Sequence, residues 1–179
     1  MAQFIALAAG VEVNGETVLS VVDGMSVFKS KALKILEDNG IKDPTPGQWY
    51  QQQAWLDSFK KISESIGQKT LEQIGMKIPE NAQFPPEIDN LEKALASIDV
   101  AYHMNHRGGD IGAYQFSKLG PTTIKLFCNN PYPCSFDKGI IQAMVNKFKP
   151  AGVAVKIEHN QNDGCRNTGG DSCTYIVKW

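Results

Sequence analysis

The sequence predicts an α+β protein, a mainly antiparallel sheet packed on one side by several helices. Three observations carry that expectation. Apolar residues recur at helical spacing between about residues 26 and 106, whereas from about 111 onward the chain breaks into short runs rich in β-branched and aromatic residues. Those later runs read strand, strand, helix, strand, strand. No internal repeat, low-complexity tract or long linker interrupts the 179 residues, a length suited to one well-buried core. A single domain over 1–179 is expected, helical over about 26–106 and sheet-rich over about 111–179.

Near the N-terminus, "VEVNGETVLSVVDG" places Asn14-Gly15 between β-branched runs, a hairpin signal. From Ser26 to Asn39, Phe28, Leu33 and Ile35 or Leu36 form a roughly helical stripe that stops at Gly40. Trp55, Phe59, Ile62 and Ile66 then follow at spacings of four, three and four, one face of a second helix. "KTLEQIGMKI" continues as a helix expected to break at Gly75 and Pro79. The clearest helix carries Ile88, Leu91, Leu95, Ile98 and Tyr102. Beyond it, "GAYQFSK" and "TTIKLFC" read as strands joined at Gly120-Pro121, and "NNPYPCS" leads into a helix with Ile140, Ile141, Met144, Val145 and Phe148. "GVAVKIEH" and "CTYIVKW" complete the sheet.

Eighteen Lys and Arg against nineteen Asp and Glu give a net charge of -1, with no run of like charge. Nothing marks a nucleic-acid partner. The apolar start "FIALAAGV" is too short to span a bilayer and lacks the basic flank of a secretory signal, so a cytoplasmic protein without a membrane span is expected. Cytoplasmic thiols stay reduced, which favours metal binding or free cysteine over a disulfide.

All four cysteines lie in the last third, as Cys128-x5-Cys134 and Cys165-x7-Cys173, each at the start or end of a predicted element. Loops there converge, and thiolates on two turns supply the tetrahedral donors that zinc takes. Cys134, at a helix N-terminus, has the added pull of unpaired amides toward ionisation. Metal, free buried thiols and a disulfide all remain open on spacing alone.

"KLFC", "NNPYPCSFDKGIIQAMVNKF", "VAVKIEH" and "CRNTGGDSCTYIVKW" together resemble the 4-vinyl reductase-like small-molecule-binding domain, distantly related to vesicle-tethering TRAPP subunits. The resemblance covers about the last 65 residues. It implies one structural zinc near the C-terminal hairpin, with Cys128, Cys165 and Cys173 on the family's three cysteines and Glu158 on its carboxylate. Here the gap after Glu158 is longer and Cys134 is additional, so an all-thiolate set of Cys128, Cys134, Cys165 and Cys173 ranks first, with His159 as a further donor. The resemblance also implies a homodimer, and a cavity for a small hydrophobic or amphiphilic ligand lined by Trp49, Trp55, Phe59 and Tyr102.

"YHMNHRGGD" brings His103, His106 and Arg107 together. If the helix persists to His106, the two imidazoles share a face, and Arg107 beside them suits a small anion. The same polar residues also suit the capping of a helix end, and aromatic stripes at helical spacing also suit a plain core. No nucleophile elbow, phosphate loop or dinucleotide fingerprint appears. The reading is a small-molecule-binding or sensory module with structural zinc. Its alternative is a metal- or haem-dependent enzyme or redox protein centred on His103, His106 and Arg107 or on Cys134.

Overall fold

Asn14 ends the first strand and begins the first helix. The computed structural model describes residues 3–179, in which β1 (Glu12–Asn14) runs directly into α1 (Gly15–Gly24). The Asn14 side chain accepts from the Thr17 amide at 3.0 Å, so the Asn-Gly pair is a helix cap and not a hairpin turn. An oxygen that satisfies an orphan amide there is worth about 1 kcal/mol. A Cβ at Gly15 would collide with the Thr45 carbonyl, which leaves glycine as the residue that fits.

β2 (Trp49–Gln51) and β3 (His106–Arg107) flank β1 in a small antiparallel sheet of order β2-β1-β3. β1 falls in the first arm of the expected hairpin; β2 and β3, of three and two residues, are too short to show a period and are not expected as strands.

α2 (Lys29–Asp38) follows a 3-10 turn and buries Ala32, Ile35 and Leu36. Phe28 and Leu33, expected in the buried stripe, are 55% and 37% exposed. α3 (Gln52–Ser65) buries Trp55, Phe59 and Ile62, as their spacing predicts. α4 (Gln68–Asn81) does not break at Gly75 or Pro79. Gly75 meets Gly139 of α6 (Cys134–Phe148), and a Cβ on either would collide with a backbone carbonyl of the other helix. These glycines mark a close helix crossing, while Pro79 falls in the last turn of α4.

α5 (Leu91–Met104) starts at Asn90, whose side chain accepts from the Lys93 amide, and buries Leu91, Leu95, Ile98 and Tyr102. The larger sheet comprises β4 (Ala113–Gly120), β5 (Thr123–Asn129), β6 (Lys156–His159) and β7 (Cys173–Lys178), ordered β4-β5-β7-β6 and antiparallel throughout. Tyr114, Ile124, Leu126, Tyr175 and Val177 face the helical core; Gln115, Lys125, Glu158 and Lys178 lie on the other face. The expected α+β architecture of helices and antiparallel sheet is what the chain adopts. Among the described residues no helix is long and apolar enough to cross a membrane.

Candidate functional sites

Four side chains from four chain segments meet where α6 begins and the β6–β7 end of the sheet opens. Cys134 opens α6, His159 ends β6, Cys173 opens β7, and Cys165 precedes a 3-10 turn at Arg166–Thr168. Their ligand atoms all lie within 4.8 Å of one another. The Cys134 sulfur is 3.0 Å from that of Cys173 and 3.4 Å from that of Cys165. The Gly169-Gly170 turn folds back on Cys165, whose carbonyl accepts from the Gly170 amide at 2.8 Å. A Cβ on Gly170 would crowd the Cys165 backbone.

Cys128 and Glu158 are outside this group. Cys128 pairs in register with Cys173 and Tyr114, and burial pushes its thiol well above the ordinary range. Glu158 precedes His159 by one residue, and successive strand residues face opposite ways. It therefore sits on the outer face, where hydrogen bonds from Lys156 and Lys178 pull its carboxyl down to about 2. His159 points inward and stacks on Tyr175, its cross-strand partner, at 4.6 Å between centroids. Its Nε2 is buried without a hydrogen-bond partner.

All four cysteines are free. The Cys134 and Cys173 sulfurs are within hydrogen-bonding distance of each other. Hydrogen bonding between the two sulfurs raises the Cys134 thiol and lowers that of Cys173, to which His159 and Arg166 also contribute. Three sulfurs and an imidazole fit a thiolate-seeking metal ion.

Beside the cluster lies a buried ion pair that sequence reasoning missed. The Asp137 carboxylate takes hydrogen bonds from Arg166, from the Tyr114 hydroxyl at 2.6 Å and from Asn130. Arg166 also donates to the backbone and side-chain oxygens of Asn130. Burial raises the Asp137 carboxyl to about 6 against the opposing pull of Arg166. Nothing in "SFDKG" or "CRNTG" distinguishes these residues from surface charges; only the fold brings them together.

A second site lies in the core, a cavity of about 30 Å³ whose walls include Trp55, Ala101, Tyr102, His106, Tyr132 and Phe136. His106 is fully engaged: Nδ1 is 2.8 Å from the Tyr102 carbonyl and Nε2 is 2.6 Å from the Tyr132 hydroxyl. Gln52 donates to that hydroxyl at 3.0 Å, and the Tyr102 hydroxyl donates to the Ile111 carbonyl. Burial lowers His106 to about 4, so the imidazole is neutral at physiological pH.

The rest of the predicted ligand cluster is dispersed. α5 ends at Met104, so His103 and His106 do not share a helical face. His103 lies in an open surface depression with Val100 and Met104, its Nδ1 against the Asp99 carbonyl. Arg107 lies over the Trp49 ring at 4.3 Å and donates to Glu12. Phe59 packs behind Trp55, with 4.7 Å between centroids, as core.

No protein-family model matches the sequence, and no curated protein does either. Solved structures do match. An H-NOX protein from S. oneidensis in its Fe(II)NO state has a TM-score of 0.69, covering 92% of this chain and 98% of that chain at 15% identity. A mutant of an H-NOX protein from S. oneidensis in the Fe(II) state gives 0.67, covering 92% and 95% at 17% identity. The fold is that of H-NOX proteins. A T. tengcongensis H-NOX mutant agrees at 0.61, covering 92% and 96% at 14% identity.

The H-NOX fold overturns the expected kinship with 4-vinyl reductase-like and TRAPP domains, and with it the ground for the expected homodimer. Its motifs describe a cysteine-lined sheet edge, a local device that different folds carry. The arrangement of the helices decides the kinship, and the resemblance did not reach them. The expected structural zinc is corrected too. Other structures of this fold are described by their haem and its distortion, and a thiolate and imidazole set does not by itself specify zinc.

Haem does not fit the residues present. A cofactor of that size needs roughly 300 Å³ or more, against about 30 Å³ here. His106, the histidine on the cavity, has both ring nitrogens engaged, and no Lys or Arg lines the wall to meet propionates. Tyr132, Trp55 and Phe136 pack edge to face with one another or tilted, at 5.2–5.8 Å between centroids, in that region.

Proposed function

We propose that this chain is a small-molecule sensory module on the H-NOX fold, one that meets its ligand directly in the cavity between α3, α5 and α6. The observation that carries this reading is the cavity itself: an apolar space in the core, bordered by a neutral imidazole in a chain of buried hydrogen bonds. Voids larger than a water molecule are few in a native domain, and one bordered by polar groups has room and partners for a small occupant. A change in occupancy there would reach Gln52 on α3 and Tyr102 on α5 through hydrogen bonds, which is what a sensor needs in order to move an element. Xenon NMR tests it. A saturable bound signal, lost on filling the cavity with Ala101→Phe, is expected; no bound signal in the parent chain overturns the reading.

The cluster of Cys134, His159, Cys165 and Cys173 supports a second assignment, as the metal-ligating residues of the module. The four donors come from α6, β6, the following loop and β7, so one ion would tie the helix start to the hairpin. Metal analysis of protein purified without a histidine tag is the test. Loss of bound metal in both Cys165→Ser and Cys173→Ser, with retention in Cys128→Ser, is the outcome expected; the reverse pattern refutes the assignment.

A further inference from the structure

An unsatisfied donor belongs to a residue on the wall of the core cavity. Trp55 is 0% exposed, lines the cavity, and its indole nitrogen has no hydrogen-bond partner among the described residues. A buried N–H without an acceptor costs more than a formed hydrogen bond returns, so such groups ordinarily have partners. The neighbouring hydroxyls are engaged elsewhere: Tyr132 accepts from Gln52 and bonds His106, and Tyr102 donates to Ile111; the Gln52 side-chain carbonyl, one turn before Trp55, is likewise without a partner. The wall also carries the apolar side chains of Ile98, Ala101 and Ile140. No charged side chain lines it, so a charged ligand would lose its hydration with no counter-charge in return. A water-sized occupant takes roughly 10–15 Å³ of such space, so the 30 Å³ present admits a molecule of only a few heavy atoms.

We propose that the cavity binds a small neutral hydrogen-bond acceptor with an apolar end, held by the Trp55 indole N–H. The acceptor atom takes the indole hydrogen and the apolar end lies against Ile98, Ala101 and Ile140. This rests on the sensory reading and adds to it the ligand's class and the group that recognises it. Haem plays no part in it.

Acetonitrile is the probe, titrated into the full nitrogen-labelled chain while the indole cross-peaks of its three tryptophans are followed. The Trp55 peak is expected to move downfield and saturate while those of Trp49 and Trp179 stay. Ala101→Leu, which fills the space, abolishes the movement. Trp55→Phe weakens binding roughly five-fold, the loss of one neutral hydrogen bond, read from the methyl signals of Ile98 and Ile140. Parallel, unsaturated drift of all three indole peaks overturns the inference, as does unchanged affinity in Trp55→Phe. Xenon separates the two levels: xenon bound without a Trp55 response to acetonitrile overturns this inference and leaves the sensory reading standing. Neither probe bound overturns both. The indole measurement on the parent chain decides the matter even if a variant fails to fold.

Discussion

His106 and Asp137 are both buried and titrate out of their ordinary ranges in opposite senses. Below pH 6.5 the unfolded chain protonates His106, whereas the folded chain refuses that proton until about pH 4, so this residue removes stability as pH falls through the interval. Asp137 does the reverse. Its folded carboxyl binds a proton at about 6 and its unfolded one at 3.8, so its contribution is largest below 3.8 and is lost as pH rises toward 6. Each is worth about 3 kcal/mol over its window at ~1.4 kcal/mol per unit, and the two act in opposite senses. His106→Phe should expose the imbalance: its deficit against the parent shrinks by about 3 kcal/mol between pH 6.5 and pH 4, measured by urea unfolding. A constant deficit would mean that His106 is not held neutral. The ion pair gives a second expectation. Asp137→Ala leaves Arg166 buried and unpaired and should cost about 3–5 kcal/mol, most of it recovered in Asp137→Leu with Arg166→Met.

Among the elements, the crossing of α4 and α6 is where local preference and packing disagree. Alanine favours an isolated helix over glycine by about 1 kcal/mol. At Gly75 and Gly139, however, the new methyl would strike the backbone of the facing helix. Gly75→Ala should therefore destabilise the protein by about 1–3 kcal/mol, read as a lower urea midpoint with unchanged slope; a gain in stability would place the helices farther apart. Asn14 joins two elements in a related way. It caps α1 and donates to the Asn105 side chain at 2.6 Å, at the end of α5. Asn14→Ala should cost more than the ~1 kcal/mol of a cap alone, and Asn14→Asp, which keeps the cap but not the donor, should recover only part.

Across the fold as assembled, the C-terminal cluster is the feature whose removal should be felt farthest. An ion held only by the folded chain at a hundredfold over its Kd adds about 2.7 kcal/mol, roughly 5–10 °C in Tm for a chain of this size. Chelation of the parent should produce that drop, and Cys173→Ser should be insensitive to chelator. Glu158→Gln, on the outer face with Lys156 and Lys178, should leave metal content unchanged. Protein produced with excess haem should show no Soret absorbance; a stoichiometric Soret band would mean that Trp55, Tyr132 and Phe136 give way to admit the macrocycle.

The long periodic elements were legible from the residues alone, because a buried face over four turns leaves a spacing that survives in the sequence: α3 from Trp55, Phe59 and Ile62, α5 from Leu91 to Tyr102, and β5 from its alternation. So was the idea that thiols from separate turns converge. Which residues converge was not. Strand parity, a matter of one residue, puts His159 inside and Glu158 outside, and neither spacing nor resemblance carries parity for a strand of four residues. The Asp137–Arg166 pair, the helix crossing at Gly75 and Gly139 and the Trp55 cavity arise from contacts between segments far apart in the chain. Those were decided by tertiary structure, since a charge, a glycine or an indole acquires its meaning only from what is packed against it.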